Sequence, residues 1–130
     1  MDTSALAESA LEASLATTFD VLSWEMELAA ARCIMLDATI GEMMKAIPAE
    51  HQDAFLEAVH TVDLLSQQLT NLSAFARNMS ANVSEDIQAP VAGALGDLTL
   101  GALADRMAVA LGGEEKGVNE REEAGDLDLF

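Results

Sequence analysis

Residues 11–47 read LEASLATTFDVLSWEMELAAARCIMLDATIGEMMKAI, and one pattern runs through them. Leu11, Leu15, Phe19, Leu22, Met26, Ala29, Cys33, Leu36, Ile40, Met43 and Ile47 follow one another at spacings of four and three. Steps of that kind return to one face of an α-helix and form an apolar heptad seam. A helix from Leu11 to Ile47 would be roughly 55 Å long at 1.5 Å per residue. The spacing predicts one long helix over about 5–47, with Thr17, Thr18 and Asp20 as poorer formers near its start. Pro48 stops it, because the residue before a proline is pushed out of the α region.

The pattern then begins again. Phe55, Ala58, Val62, Leu65, Leu69, Leu72, Ala76, Met79 and Val83 alternate steps of three and four, which predicts a second helix over about 48–83. Two long helices joined by the short corner Ile47-Pro48-Ala49 must run antiparallel. A third, weaker helix is expected over about 88–111, through Val91, Leu95, Leu98, Ala102 and Leu103, and Gly112-Gly113 ends it. Residues 1–112 form one helical domain in this reading. Residues 113–130 form an acidic, flexible, disordered tail that finishes on the apolar segment Asp126-Leu127-Asp128-Leu129-Phe130. The fold class is all-α. An isolated hairpin of this length buries its seams poorly. Either the third helix closes a three-helix bundle or two hairpins pair into a dimeric four-helix bundle, and the long seams favour the homodimer.

Composition narrows the function. The chain carries 23 acidic against 6 basic residues, a net charge of −17. Nucleic acid and anionic membrane surfaces are met with Lys and Arg, so neither is an expected partner. No signal-peptide pattern opens the sequence, and the lone Cys33 forms no internal pair, so a cytoplasmic protein is expected. No Gly-rich phosphate loop, HExxH or cysteine pair is present, and no metal site is expected. Cys33 lies on the seam and reads as a reduced core thiol rather than a nucleophile.

The outer face of the second helix is unlike a plain solvated surface. At 100° per residue Gln67 points almost opposite the seam, with His60, Asp63, Asn71, Ala74 and Asn78 within roughly 50° of it. From His60 to Ser84 the only charges are Asp63 and Arg77. Amides and small residues in so acidic a chain leave room for a partner to approach. Two other readings stay open: the face packs against the third helix, or Asp63 and Gln67 form one surface hydrogen bond at i, i+4.

Asp63-Leu64-Leu65-Ser66-Gln67 resembles the D-x-x-x-Q signature of the CheZ-type chemotaxis phosphatases, and the chain is also similar to their small alphaproteobacterial relatives, called CheT. The resemblance covers mainly residues 11–83 and 126–130. It implies a hairpin that dimerises into an elongated four-helix bundle, and a two-component signalling role: dephosphorylating a CheY-type response regulator. By that resemblance Gln67 positions the attacking water and Asp63 pairs with the regulator's lysine. His60 and Asn71 flank the contact, and the segment Asp126 to Phe130 docks on the regulator. The Mg²⁺ of the reaction is expected in the regulator, with no cofactor in this chain. Two alternatives belong to other classes. An exposed helical histidine, His60, would suit a histidine phosphotransfer or kinase-dimerisation protein, although Thr61 stands where those families usually place an acidic residue. A non-enzymatic helical adaptor or structural dimer needs no site at all.

Overall fold

In the computed structural model residues 11–114 are described. Their elements, in chain order, are β1 (Glu12–Ser14), α1 (Leu15–Met43), a 3₁₀ turn (Met44–Ala46), α2 (Ala49–Asn82), β2 (Gln88–Pro90), α3 (Ala92–Gly96) and α4 (Gly101–Ala110). The architecture is the expected one: mostly helical, with two long helices packed against each other.

Three boundaries differ from the sequence reading, one of them the end of α1, which comes at Met43 ahead of the 3₁₀ turn rather than at Ile47. The first helix, expected over about 5–47, starts at Leu15 rather than continuing through residues 11–14. The Ser14 hydroxyl accepts the backbone N–H of Thr17 at 2.9 Å, which satisfies a donor that has no partner within the helix. The backbone before it pairs elsewhere: β1 runs antiparallel to β2, with Ala13 opposite Ala89, and Leu15 N–H donates to the Ile87 carbonyl at 2.8 Å. The helix expected over about 88–111 is a strand and two short helices. Pro90 has no N–H to give and fits the outer position of a two-stranded ribbon. The break between α3 and α4 falls where Asp97 and Leu98 N–H groups close on Ala94 and Leu95 carbonyls, three residues back, instead of continuing an α-helix.

The other ends are as the local chemistry requires. Ile47 is extended (φ −87°, ψ 131°), as a residue before proline must be, and α2 follows Pro48 directly. At the end of α4, Gly112 takes φ +94°, which glycine adopts without penalty. Its N–H reaches the Val109 carbonyl at 3.1 Å, and Gly113 N–H reaches that of Ala108 at 2.6 Å. That pair of bonds closes the last turn.

The described residues divide into two compact units: Leu22–Met79, and residues 11–21 with 80–114. The first is the long-helix hairpin around the corner at Pro48. In the second, the β1–β2 ribbon is held by backbone pairing, and the Ser80 hydroxyl donates to the Ala16 carbonyl at 2.8 Å.

The buried line of each long helix corrects half of the expected seam. Along α1 the buried positions are Ala16, Val21, Ser23 and Ala30, and Leu15, Phe19, Leu22, Met26, Ala29, Cys33, Asp37 and Ile40 are among the half-buried ones. Along α2 the buried positions are Ser66, Ser73 and Ala76, and Val59, Val62, Leu69 and Ser80 are among the half-buried ones. The heptad period is kept, and Phe19, Met26, Cys33, Val62 and Leu69 are shared with the expected seam. The alternate positions, however, move forward by one residue. On α2 Ser66 and Ser73 are buried and Leu65 and Leu72 are not; on α1 Ala16, Ser23 and Ala30 are the more deeply buried, beside half-buried Leu15, Leu22 and Ala29. Small side chains let two backbones approach, and the hydroxyls then bond across the gap. Ser73 Oγ donates to the Ser23 carbonyl at 3.0 Å, and the two hydroxyl oxygens lie 2.8 Å apart. Since each hydroxyl has one proton, Ser23 is the donor of the second bond. The displaced leucines stay outside, Leu65 at 45% and Leu72 at 52% exposure.

Candidate functional site

A residue one step after a buried position is turned about 100° from it. Asp63 follows Val62, Gln67 follows Ser66, and Ala74 follows Ser73, so these three share one side of α2. His60, Asp63, Gln67, Asn71, Ala74 and Asn78 are all exposed.

Asp63 and Gln67 form the surface hydrogen bond at i, i+4 that one of the two other open readings expects. The Gln67 amide Nε2 donates to Asp63 Oδ2 at 2.9 Å, one helical turn apart. The bond uses one of the two amide N–H groups and one of the two carboxylate oxygens. It therefore orients the amide without exhausting it: a carbonyl oxygen and an N–H of Gln67, and Oδ1 of Asp63, are the remaining hydrogen-bonding groups of the pair. The turn beneath them is tied down by two further bonds, Ser66 Oγ to the Asp63 carbonyl at 2.8 Å and Thr70 Oγ1 to the Ser66 carbonyl at 2.9 Å. His60 and Asn71 flank the pair on the same helix without a contact that ties them to it.

One feature of this side had no signal in the sequence. Arg77 pairs with Glu27 of α1, on the same side of the hairpin as Asp63 and Gln67. The pair lies 50 residues apart in the chain, so only the packing of α1 on α2 brings it together. About ten residues, or roughly 15 Å, separate Arg77 from Gln67 along the helix. An ion pair at that distance borders the face rather than enters the chemistry.

A family model described as a domain of unknown function, DUF8776, matches residues 11–130 of the chain. The chain belongs to the DUF8776 family. No curated protein and no solved structure matches it. Membership in DUF8776 carries no activity, so the chemistry of this DUF8776 chain rests on its own residues. Among the described residues no helix is long and apolar enough to cross a membrane. The segment Asp126 to Phe130, expected to dock on a partner, lies outside the described residues, as does most of the acidic tail.

Proposed function

We propose that the chain accelerates dephosphorylation of a phosphorylated CheY-type response regulator by inserting Gln67 beside the aspartyl phosphate. The observation that carries the reading is the Asp63–Gln67 pair. A carboxamide is held by a carboxylate on the exposed, charge-poor middle of a long helix. An aspartyl phosphate in such a domain already has its own Mg²⁺ and lysine. What it lacks is a water held in line with the breaking P–O bond. An amide accepts from and donates to that water, so the gain is positioning rather than acid–base power. Asp63 has two tasks in this scheme. Oδ2 fixes the amide, and Oδ1 accepts the regulator's lysine, which sets the depth of insertion. No group of this chain becomes phosphorylated, and the metal stays with the regulator. The acidic-apolar segment Asp126 to Phe130 acts as a tethered dock that raises the regulator's local concentration at Gln67.

The test is phosphate release from a panel of phosphorylated response regulators. Gln67→Ala should lower kcat by tenfold or more while leaving regulator binding nearly unchanged, because the interaction is made in the transition state. Equal rates for the variant and the unaltered protein overturn the assignment. Stable, acid-labile phosphate on His60 would instead identify a phosphotransfer protein.

A further inference from the structure

We infer that α1 completes the face presenting Gln67, and that Ile34 is a docking residue on which the regulator rests beside its phosphorylated aspartate. This deepens the reading of Gln67 above and rests on it. The contacts that cross the hairpin carry the geometry. Glu27 of α1 pairs with Arg77 of α2, so positions a heptad on along α1 and a heptad back along α2 share that side. Ile34 stands seven residues after Glu27, and Gly41 seven after that; Thr70 stands seven before Arg77, and Asp63 seven before that. The level follows from the same contacts. Gln67 stands six residues before Ser73 and ten before Arg77. In an antiparallel pair it is therefore level with the part of α1 from six after Ser23 to ten after Glu27, positions 29–37. Ala31 and Ile34 both fall there.

What α1 offers at that level is apolar and low. Ile34 is 60% exposed, Ala31 and Ala38 are exposed, and a Cβ added to Gly41 would meet nothing within 4 Å. A β-branched side chain is a poorer helix former than a straight one, and an exposed one gains little from burial. Neither helix formation nor packing within the hairpin accounts for isoleucine at this position. The size of the partner does. Axes of packed helices lie about 8–10 Å apart. A folded domain of about 120 residues has a radius of gyration of roughly 14 Å, so one that reaches Gln67 on α2 also overlies α1 beside it. Charge agrees with this. Among Trp24, Glu27, Ala31, Ile34, Ala38 and Gly41, the positions of α1 on this side, Glu27 is the only charge, and it is paired with Arg77. An anionic pocket can settle over the Asp63–Gln67 pair without an unpaired carboxylate of α1 beside it. The contact on Ile34 is made before and during phosphate release alike, so it contributes to binding and not to the chemical step.

The test is steady-state phosphate release over the panel of phosphorylated response regulators, with kcat and KM taken separately. Ile34→Gln should raise KM about tenfold and leave kcat within twofold, because binding common to both states is lost. Met35→Gln removes a comparable apolar side chain at the next position, 70% exposed and turned about 100° away, and should change neither constant. Ile34→Val keeps the apolar contact and should stay within threefold of the unaltered KM. Ala31→Gln builds bulk onto the same surface, should raise KM at least fivefold, and serves where Ile34→Gln loses helical circular dichroism. An unchanged KM in Ile34→Gln and Ala31→Gln, while Gln67→Ala still lowers kcat, overturns the docking role and leaves the catalytic reading in place. No release by the unaltered protein from any regulator overturns both.

Discussion

Ser73 tests the packing of the hairpin more sharply than any leucine. Its side chain is 2% exposed, and that of Ser23 is 1% exposed. The pair forms two hydrogen bonds across the helices, each worth about 1 kcal/mol net in a folded protein. Ser73→Ala removes both and leaves the Ser23 hydroxyl to find a carbonyl in its own helix, so the loss should be about 1–2 kcal/mol. Ser23→Ala should cost about 1 kcal/mol, and the double variant should fall short of the sum because the two share a bond. Ser73→Leu adds branched bulk where the backbones are closest. Overpacking of about 1–3 kcal/mol then joins the lost bonds, for a total of roughly 3–5 kcal/mol. That corresponds to a fall in Tm on the order of 15 °C for a chain of this size. Ala74→Leu makes a comparable enlargement one residue later, on the exposed side, and should stay within about 0.5 kcal/mol. Thermal and urea unfolding followed by far-UV circular dichroism measure all five variants against the unaltered protein. Equal stability of Ser73→Leu and Ala74→Leu would refute a seam closed by small residues and restore the one built on Leu65 and Leu72.

Three further outcomes follow from single groups. Asp37 occupies a buried-line position on α1, and its Oδ1 is shielded from solvent without a hydrogen-bond partner; Asp37→Leu should therefore raise stability by about 1–2 kcal/mol in the same unfolding experiments. Asp63→Ala frees the Gln67 amide, so it should reduce phosphate release from the regulator and also weaken binding, whereas Gln67→Ala reduces release alone. Glu27→Gln breaks the Arg77 pair on a partly exposed surface and should cost no more than about 1 kcal/mol, with a smaller effect at 1 M salt.

The period of the long helices was legible in the sequence, and the phase was not. Leu65 and Ser66, or Leu72 and Ser73, are neighbours, and a wide apolar arc contains both the leucine line and the serine line. Hydropathy favours the leucines. The choice of the serines depends on how closely two backbones can approach and on a hydrogen bond between residues 50 apart, neither of which is a local property. The β1–β2 ribbon was hidden for a related reason: three residues each at 12–14 and 88–90 acquire strand geometry only from one another. Pro48 shows the opposite case. Its effect is steric and confined to the preceding residue, so the start of the second helix could be read directly. Asp63 and Gln67 were legible for the same reason, since a spacing of four within one helix needs no tertiary contact to bring the side chains together.

On α2 the offset puts Leu65 and Leu72 on a different side of the helix from Asp63 and Gln67. If the leucines had formed the buried line, the hairpin would have consumed its own large apolar groups and left polar small residues outside. Closing the gap with Ser66 and Ser73 instead leaves Leu65 and Leu72 exposed on one side of α2 and the amide-bearing residues on the other. The charge distribution follows the same division. A phosphorylated aspartate pocket is negatively charged, and a chain of net charge −17 would repel it over a Debye length of about 8 Å. Yet the stretch from Ala58 to Ser84 sums to zero, with Asp63 and Arg77 as its only charges. Under the proposed function, that neutral stretch would let an anionic pocket approach Gln67 without meeting a run of carboxylates.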